Sequence, residues 1–179
     1  MRKLVSYLFT TLDGVVDSPD KYWRDDVSED FGELTALGIA GQDAVLLGRQ
    51  QYEDWSQFWP TATFEPFATF INTTPKYVAS RTLTEVKWAH SALIKDDVLA
   101  AVARLKAQPG QAIGVHGSIA LTRSLLLSGL VDELRLSVIP MLAGTGRRLL
   151  DQNTPVQLDL VGSQRMKKGF QYLVYVPRK

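Results

Sequence analysis

Apolar residues recur along this chain with two different periods. Short β-rich runs at residues 4–9, 43–47, 76–79, 112–115 and 133–139 read as strands, and residues 157–163 and 172–176 alternate apolar with polar positions. Helical spacing places Val27, Phe31, Leu34 and Leu37 on one face over residues 26–39. It does the same for Val98, Leu99, Val102 and Leu105 over residues 96–107, a helix that opens on acidic residues and stops at Pro109-Gly110. A third helix is predicted over residues 118–127.

Strands alternating with helices imply right-handed crossovers and a mainly parallel sheet. The C-terminal strands follow one another with no helix between them. Lys168-Gly169 is a hairpin turn pair, so the sheet is expected to finish antiparallel. A chain of 179 residues suffices for one domain with one sizeable core. The longest irregular stretch, residues 55–74, is rich in Trp, Phe, Thr and Pro; it reads either as a site wall or as a surface loop around one short helix.

Composition narrows the function classes. The formal net charge is +1, with no basic stripe, which gives no argument for nucleic acid or an anionic membrane as partner. Arg165, Lys167 and Lys168 read as a solvated hairpin end. There is no cysteine, so a disulfide framework, a thiolate zinc site and a cysteine nucleophile are all excluded. The acidic residues are dispersed and suggest no metal site. The N-terminal apolar run is cut short by Thr10, Thr11 and Asp13 and reads as a strand, not a signal; the expected compartment is the cytoplasm.

Four places put unusual residues where a strand ends, and ligands of open α/β sheets bind outside the carboxyl ends of the strands. After the first strand comes Asp13-Gly14. Gly14 permits a positive φ, and Asp13 at the sheet mouth suits the amino and ring N–H groups of a pyrimidine or pterin. If desolvated, Asp13 would carry a raised pKa and assist protonation; otherwise Asp-Gly is simply a turn pair. After the second strand, Gly48, Arg49, Gln50 and Gln51 open a helix whose N-terminus and guanidinium suit a phosphate. After the third, Ser80, Arg81 and Thr82 form a compact anion site that would suit an adenosine 2′-phosphate, or else a polar strand exit. At the fourth, Gly117, Ser118, Ile119 and Ala120 let a diphosphate approach a helix start. This is not the G-x-G-x-x-G fingerprint, so a true Rossmann module is disfavoured. The neighbouring His116 has neither a partner nor a metal spacing evident in the sequence.

The order of these exits resembles the dihydrofolate reductase-like superfamily. Residues 130–136 (LVDELRL), followed by Pro140 and Gly144-Thr145-Gly146, are similar to the C-terminal reductase domain of the riboflavin-biosynthesis deaminase/reductase and its stand-alone bacterial relatives. The resemblance implies a three-layer α/β/α fold with a mixed, mostly parallel central sheet and an antiparallel C-terminal hairpin. It implies NADPH as cofactor, with Gly48, Arg49, Gln50 and Gln51 at the phosphates and Ser80, Arg81 and Thr82 at the 2′-phosphate. Gly117, Ser118, Ile119 and Ala120 then lie at the diphosphate and nicotinamide. Gln51 stands where a hydroxyl residue is common, and Gly117-Ser118 where folate-type reductases carry two glycines. Asp13 is implied as the catalytic residue and, with Trp23, Trp55, Phe58, Pro140 and Met141, as substrate-binding; Val15, Trp59 and Gly144 lie nearby. The zinc deaminase domain of the riboflavin branch has no counterpart here.

The implied activity is reduction of a small heterocycle, most like 5-amino-6-(5-phosphoribosylamino)uracil. Arg24, Arg147 or Arg148 is expected to take the substrate phosphate. A pterin or dihydrofolate reductase on the same scaffold is the alternative, and a non-catalytic nucleotide- or flavin-binding module is another. The strand edge left by the C-terminal hairpin leads to the expectation of a homodimer, unless its basic residues guard that edge.

Overall fold

The structure, a computed structural model, describes residues 1–22, 28–150 and 155–178. Strand β1 (Leu4–Thr11) leads through a 3-10 turn at Pro19–Tyr22 to helix α1 (Ser28–Ile39) and β2 (Gln42–Gly48). Helices α2 (Arg49–Phe58) and α3 (Phe67–Thr73) precede β3 (Lys76–Ala79) and β4 (Ser91–Ile94). Helix α4 (Val98–Ala107), β5 (Ala112–His116), α5 (Ile119–Leu127) and β6 (Glu133–Ile139) follow, and β7 (Leu158–Arg165) and β8 (Gln171–Pro177) close the chain.

All eight strands form one sheet, in the order β4-β3-β2-β5-β1-β6-β8-β7. The first six run parallel; β8 pairs antiparallel with β6, and β7 antiparallel with β8. The two-residue alternation sends each strand into both faces. Ala44 and Leu46 pack with Val102 of α4 and Leu125 of α5, whereas Val45 and Leu47 pack with Tyr52 of α2 and Ile71 of α3. Leu34 of α1 packs on the second face with Tyr7, Ile139 and Tyr172. The result is the three-layer arrangement expected from the sequence. Among the described residues no helix is long and apolar enough to cross a membrane.

Two elements depart from the sequence reading. Residues 55–74 are not mainly irregular: they hold the end of α2 and all of α3. Phe67, Ala68 and Ile71 bury one side of α3, and that packing overrides the weak helix propensity of its Phe- and Thr-rich sequence. Strand β4 was not anticipated, because its four residues show no clean alternation; it exists through parallel pairing with β3. The hairpin turn at 166–170 is as expected, with Gly169 at φ +94° and Met166 turned into the core.

Helix α1 is fixed at its C-terminal end by side chains from the sheet. Arg135 Nη1 donates to the carbonyls of Leu37, Gly38 and Ala40 at 3.0, 3.2 and 3.0 Å. Tyr172 Oη donates to Leu37 O at 3.0 Å, Gln42 Nε2 to Gly38 O at 2.7 Å and Tyr7 Oη to Leu34 O at 3.1 Å. A guanidinium on three open carbonyls at the negative end of a helix is a favourable arrangement. Arg135→Met keeps the apolar stem and removes the charge. We expect it to cost about 2 kcal/mol in urea unfolding; a loss within the usual surface range would show that the cap is not stabilising.

Candidate functional site

The six parallel strands end on one edge of the sheet. Gly48 ends β2, and Ser80 and Gly117 follow the ends of its neighbours β3 and β5. These three exits therefore share a rim, as the sequence reading required. The rim is stepped. Tyr7 of β1 is level with His116, the last residue of β5, but β1 and β6 continue side by side to Thr11 and Ile139. Four further residues raise a wall of about 13 Å beside the exit of β5. The chain crosses from β1 toward β2 on one side of this step and from β5 to β6 on the other. The step is thus the topological switch point of the sheet, where such folds bind ligands.

Helix α5 starts at the foot of the wall. Gly117 (φ +59°) and Ser118 (φ +48°) are both left-handed, and Ser118 makes no side-chain cap to its own helix. Its hydroxyl instead accepts from Gly48 N at 2.9 Å, tying the exit of β2 to that of β5. Ser118 N donates back to Gln51 Oε1 at 3.3 Å. The first-turn N–H groups of Ile119 and Ala120 have no intrahelical acceptor and lie at the rim, with Ala120 exposed. Helix α2 also starts without a side-chain cap. Two helix N-termini thus open on neighbouring strand ends.

The remaining predicted cofactor residues divide between construction and presentation. Arg49 is half exposed and lies along α2 against Glu53, at 3.1 and 2.7 Å. Exposed pairs of this kind contribute little and release readily. Gln50 is exposed. Ser80 is buried, and its Oγ accepts from Thr82 N and Leu83 N at 3.2 and 3.0 Å. The turn it builds leaves Arg81 and Thr82 exposed, and Arg81 makes no ion pair among the described residues.

Asp13 follows the turn alternative, without the raised pKa that desolvation would have given it. It accepts from the Thr11 hydroxyl, from Ala143 N at 3.0 Å and from Gly144 N at 2.8 Å. These donors, the Thr11 hydroxyl first, hold its pKa down at about 2 instead of raising it. Asp13 is a loop anchor in this structure, and its carboxyl is not poised to give up a proton. The anchored loop continues the β1–β6 wall as a small ribbon. Leu12 N bonds Met141 O, Val16 N bonds Arg147 O, and Val15 bridges Arg148. Gly146 is required there, because a Cβ would lie 2.4 Å from Val15 Cγ1. Arg147 pairs with Asp17 at 3.5 Å, and Arg148 Nε donates to Asp13 O at 3.0 Å.

The other predicted substrate residues are not all brought together. Pro140 lies against the hairpin turn near Gly169, and Met141 packs on the core cluster beneath α1. Trp59 is a core residue, Trp55 is half-buried, and Phe58 is 50% exposed. Trp23 and Arg24 lie outside the described residues. The structure adds rings that the sequence reading did not assign to the site. Phe9, on the wall, stacks on Phe31 at 6.1 Å; Phe31 meets Phe64 edge-on at 6.2 Å, and Phe64 stacks on Phe58 at 6.2 Å. Phe64 is 54% exposed, so the strip ends in two half-open faces. Their sequence signal was only that of apolar positions.

His116 has a partner after all. Its Nε2 lies 2.8 Å from Gln42 Oε1, and because Gln42 Nε2 donates to Gly38 O, the histidine is the donor. Nδ1 is buried with no partner. Tyr7, Trp55, Phe67 and Phe70 surround the ring. Burial, with the Arg135 charge second, pushes its pKa down to about 3. Gly114 makes room for this pair, since a Cβ would sit 1.9 Å from Gln42 Oε1.

A family model for the RibD C-terminal domain matches residues 2–172. The chain belongs to the RibD C-terminal domain family. It is 30% identical to the uncharacterized protein YyaP of Bacillus subtilis (strain 168), over 97% of this chain and 94% of that protein. A solved protein of Shewanella sp. PV-4, named for riboflavin biosynthesis, superposes with a TM-score of 0.73 at 20% identity, covering 99% of both chains. The dihydrofolate reductase of Enterococcus faecalis, solved with NADP(H), superposes with a TM-score of 0.67 at 13% identity over 99% of this chain and 97% of that one. At these identities the solved structures share the fold. The RibD C-terminal domain assignment covers every strand exit that builds the step.

The buried neutral histidine makes a testable contribution to acid sensitivity. The unfolded chain binds a proton at His116 as pH falls below 6.5, whereas the folded chain does not until about 3. Stability is therefore fully present above 6.5 and is lost as pH falls through this window. Asp13 contributes in the same direction, but only below its ordinary value of 3.8. Between pH 6.5 and 4, unfolding free energy of the parent chain should fall by up to about 1.4 kcal/mol per pH unit for one proton. His116→Phe should flatten that slope; an unchanged slope would rule out the histidine as its source.

Proposed function

We propose that the chain is an NADPH-dependent reductase of a small, flat heterocycle, of the type that reduces 5-amino-6-(5-phosphoribosylamino)uracil. The observation that carries the reading is the convergence of Gly48, the Ser80 turn and Gly117 on adjacent strands, with two uncapped helix N-termini at the switch point. In this reading the rim takes a dinucleotide. The α5 amides suit a diphosphate, and Arg81 and Thr82 suit a 2′-phosphate. NADPH, when bound, supplies a hydride. The half-open faces of Phe64 and Phe58 offer stacking surface to a flat ring. Arg147 and Arg148, exposed on the wall ribbon, suit a substrate phosphate.

Neither ionisable group at the step acts as a side-chain acid in this reading. Asp13 is held as an anion by three donors, and His116 is neutral with its one N–H on Gln42. Water at the mouth then serves as proton source, with the chain's role being to bind, orient and stack. The same observation favours a second reading, a module that holds the dinucleotide without turnover. NADPH oxidation assayed with aminouracil and pterin substrates separates the two.

Self-association belongs to the proposal. Strand β7 is an open sheet edge, with Leu160 and Val161 54% and 60% exposed, which suits pairing with a second copy. Sedimentation as a monomer at micromolar concentration would overturn it. For the cofactor, Arg81→Ala should weaken NADPH binding roughly tenfold to a hundredfold and leave NADH nearly unchanged. Equal loss for both cofactors in a fluorescence titration would refute the 2′-phosphate assignment.

A further inference from the structure

Gln51 is the third residue of α2, and its amide reaches across to the head of α5. Its Oε1 accepts the Ser118 N–H at 3.3 Å. A Cβ built on Gly117 would lie 2.5 Å from that oxygen, so the glycine and the glutamine amide fit one another closely. The Ser118 N–H leads a series of rim amides that continues through Ile119 and Ala120. The first position of that series already carries an acceptor oxygen. That acceptor is neutral, at a place where the helix field favours negative charge.

We infer that Gln51 is a placeholder for the diphosphate of the cofactor. Its carbonyl sits on the amide that a phosphate oxygen takes, so binding is an exchange and this residue sets its strength. The inference rests on reading the crevice as the dinucleotide site. A charged acceptor forms the stronger bond with a backbone amide, so the phosphate displaces the side chain. The displaced bond is subtracted from the affinity. Because the exchange involves the diphosphate, NADPH and NADH feel it equally, unlike any change at Arg81.

The test is titration of the full chain with NADPH and with NADH, comparing the parent with Gln51→Ala and Gln51→Glu. Gln51→Ala removes the competing acceptor and should tighten both cofactors roughly threefold to tenfold. Gln51→Glu keeps the shape and places a full negative charge on the amide. It should weaken both about tenfold or more, with a penalty that shrinks at high salt, while raising the melting temperature. A merely structural role predicts weaker binding on truncation, so the sign of the alanine effect decides. If the parent binds and Gln51→Ala binds equally or more weakly, the placeholder role is overturned and the site reading stands. If neither parent nor Gln51→Ala binds either cofactor, both fail. If only the alanine variant binds, both are supported.

Discussion

The rim depends on one hydrogen bond, from Gly48 N to the Ser118 hydroxyl. A serine at a helix start ordinarily caps its own first turn. Here the side chain is turned away to hold the neighbouring strand exit, and the residue adopts a left-handed conformation that costs roughly 1–2 kcal/mol. Two results follow. The exits of β2 and β5 become one rigid unit, so the heads of α2 and α5 are held at a fixed separation. The amides of α5 also stay open at the rim. Thr122 Oγ1 bonds the Gly117 carbonyl at 3.0 Å and braces the same turn from within. The strain at Ser118 is therefore tied to the feature that leaves the α5 amides open at the step.

Around this unit the charged groups are used for position. Asp13 spends both oxygens on the loop after β6, and Arg135 spends three hydrogen bonds on the end of α1. His116 is desolvated until it stays neutral. These choices raise the β1–β6 wall and fix α1 beside it. They also leave Asp13 and His116, at the step, unready to give up a proton. In the proposed reaction, rate enhancement would then come from orientation and water exclusion more than from acid catalysis.

How much of this was legible in the sequence depended on range. Gly48, Ser80 and Gly117 were readable because turn chemistry is local, and the strand pattern put all three at carboxyl ends. The Arg49–Glu53 pair is also local, with the four-residue spacing visible in the chain. The sign of the Asp13 shift was not readable, because the amides of Ala143 and Gly144 that set it lie more than a hundred residues away. His116 looked partnerless for the same reason, its Gln42 acceptor being 74 positions distant. Helix α3 was legible only as an unplaced short helix in one of two alternatives, because its burial, and not its composition, makes it helical. Phe58 was named from the sequence, but Phe9, Phe31 and Phe64 lie in other segments, and only the fold aligns the four into a strip.

Hydroxyl residues recur at these strand exits, and the sequence invites reading them as ligands. The structure ties Thr11, Ser80 and Ser118 to turns and leaves Thr82 exposed. Thr11 Oγ1 donates to Asp13 and accepts from Val15 N, Ser80 Oγ accepts from two amides, and Ser118 Oγ accepts from Gly48 N. Among the described residues, what remains open at the rim is backbone N–H and the exposed guanidinium of Arg81, with that of Arg49 half exposed beside Glu53. Backbone amides recognise phosphate oxygens without regard to the base or sugar they carry, so in the proposed site these three hydroxyls would be conformational requirements and the amides the recognition surface. Selectivity for a substrate must then come from elsewhere on the step. The aromatic strip and the two wall arginines are where this chain has room to differ from others of its fold. A neutral flat ring would engage the first, and a phosphorylated one would engage both.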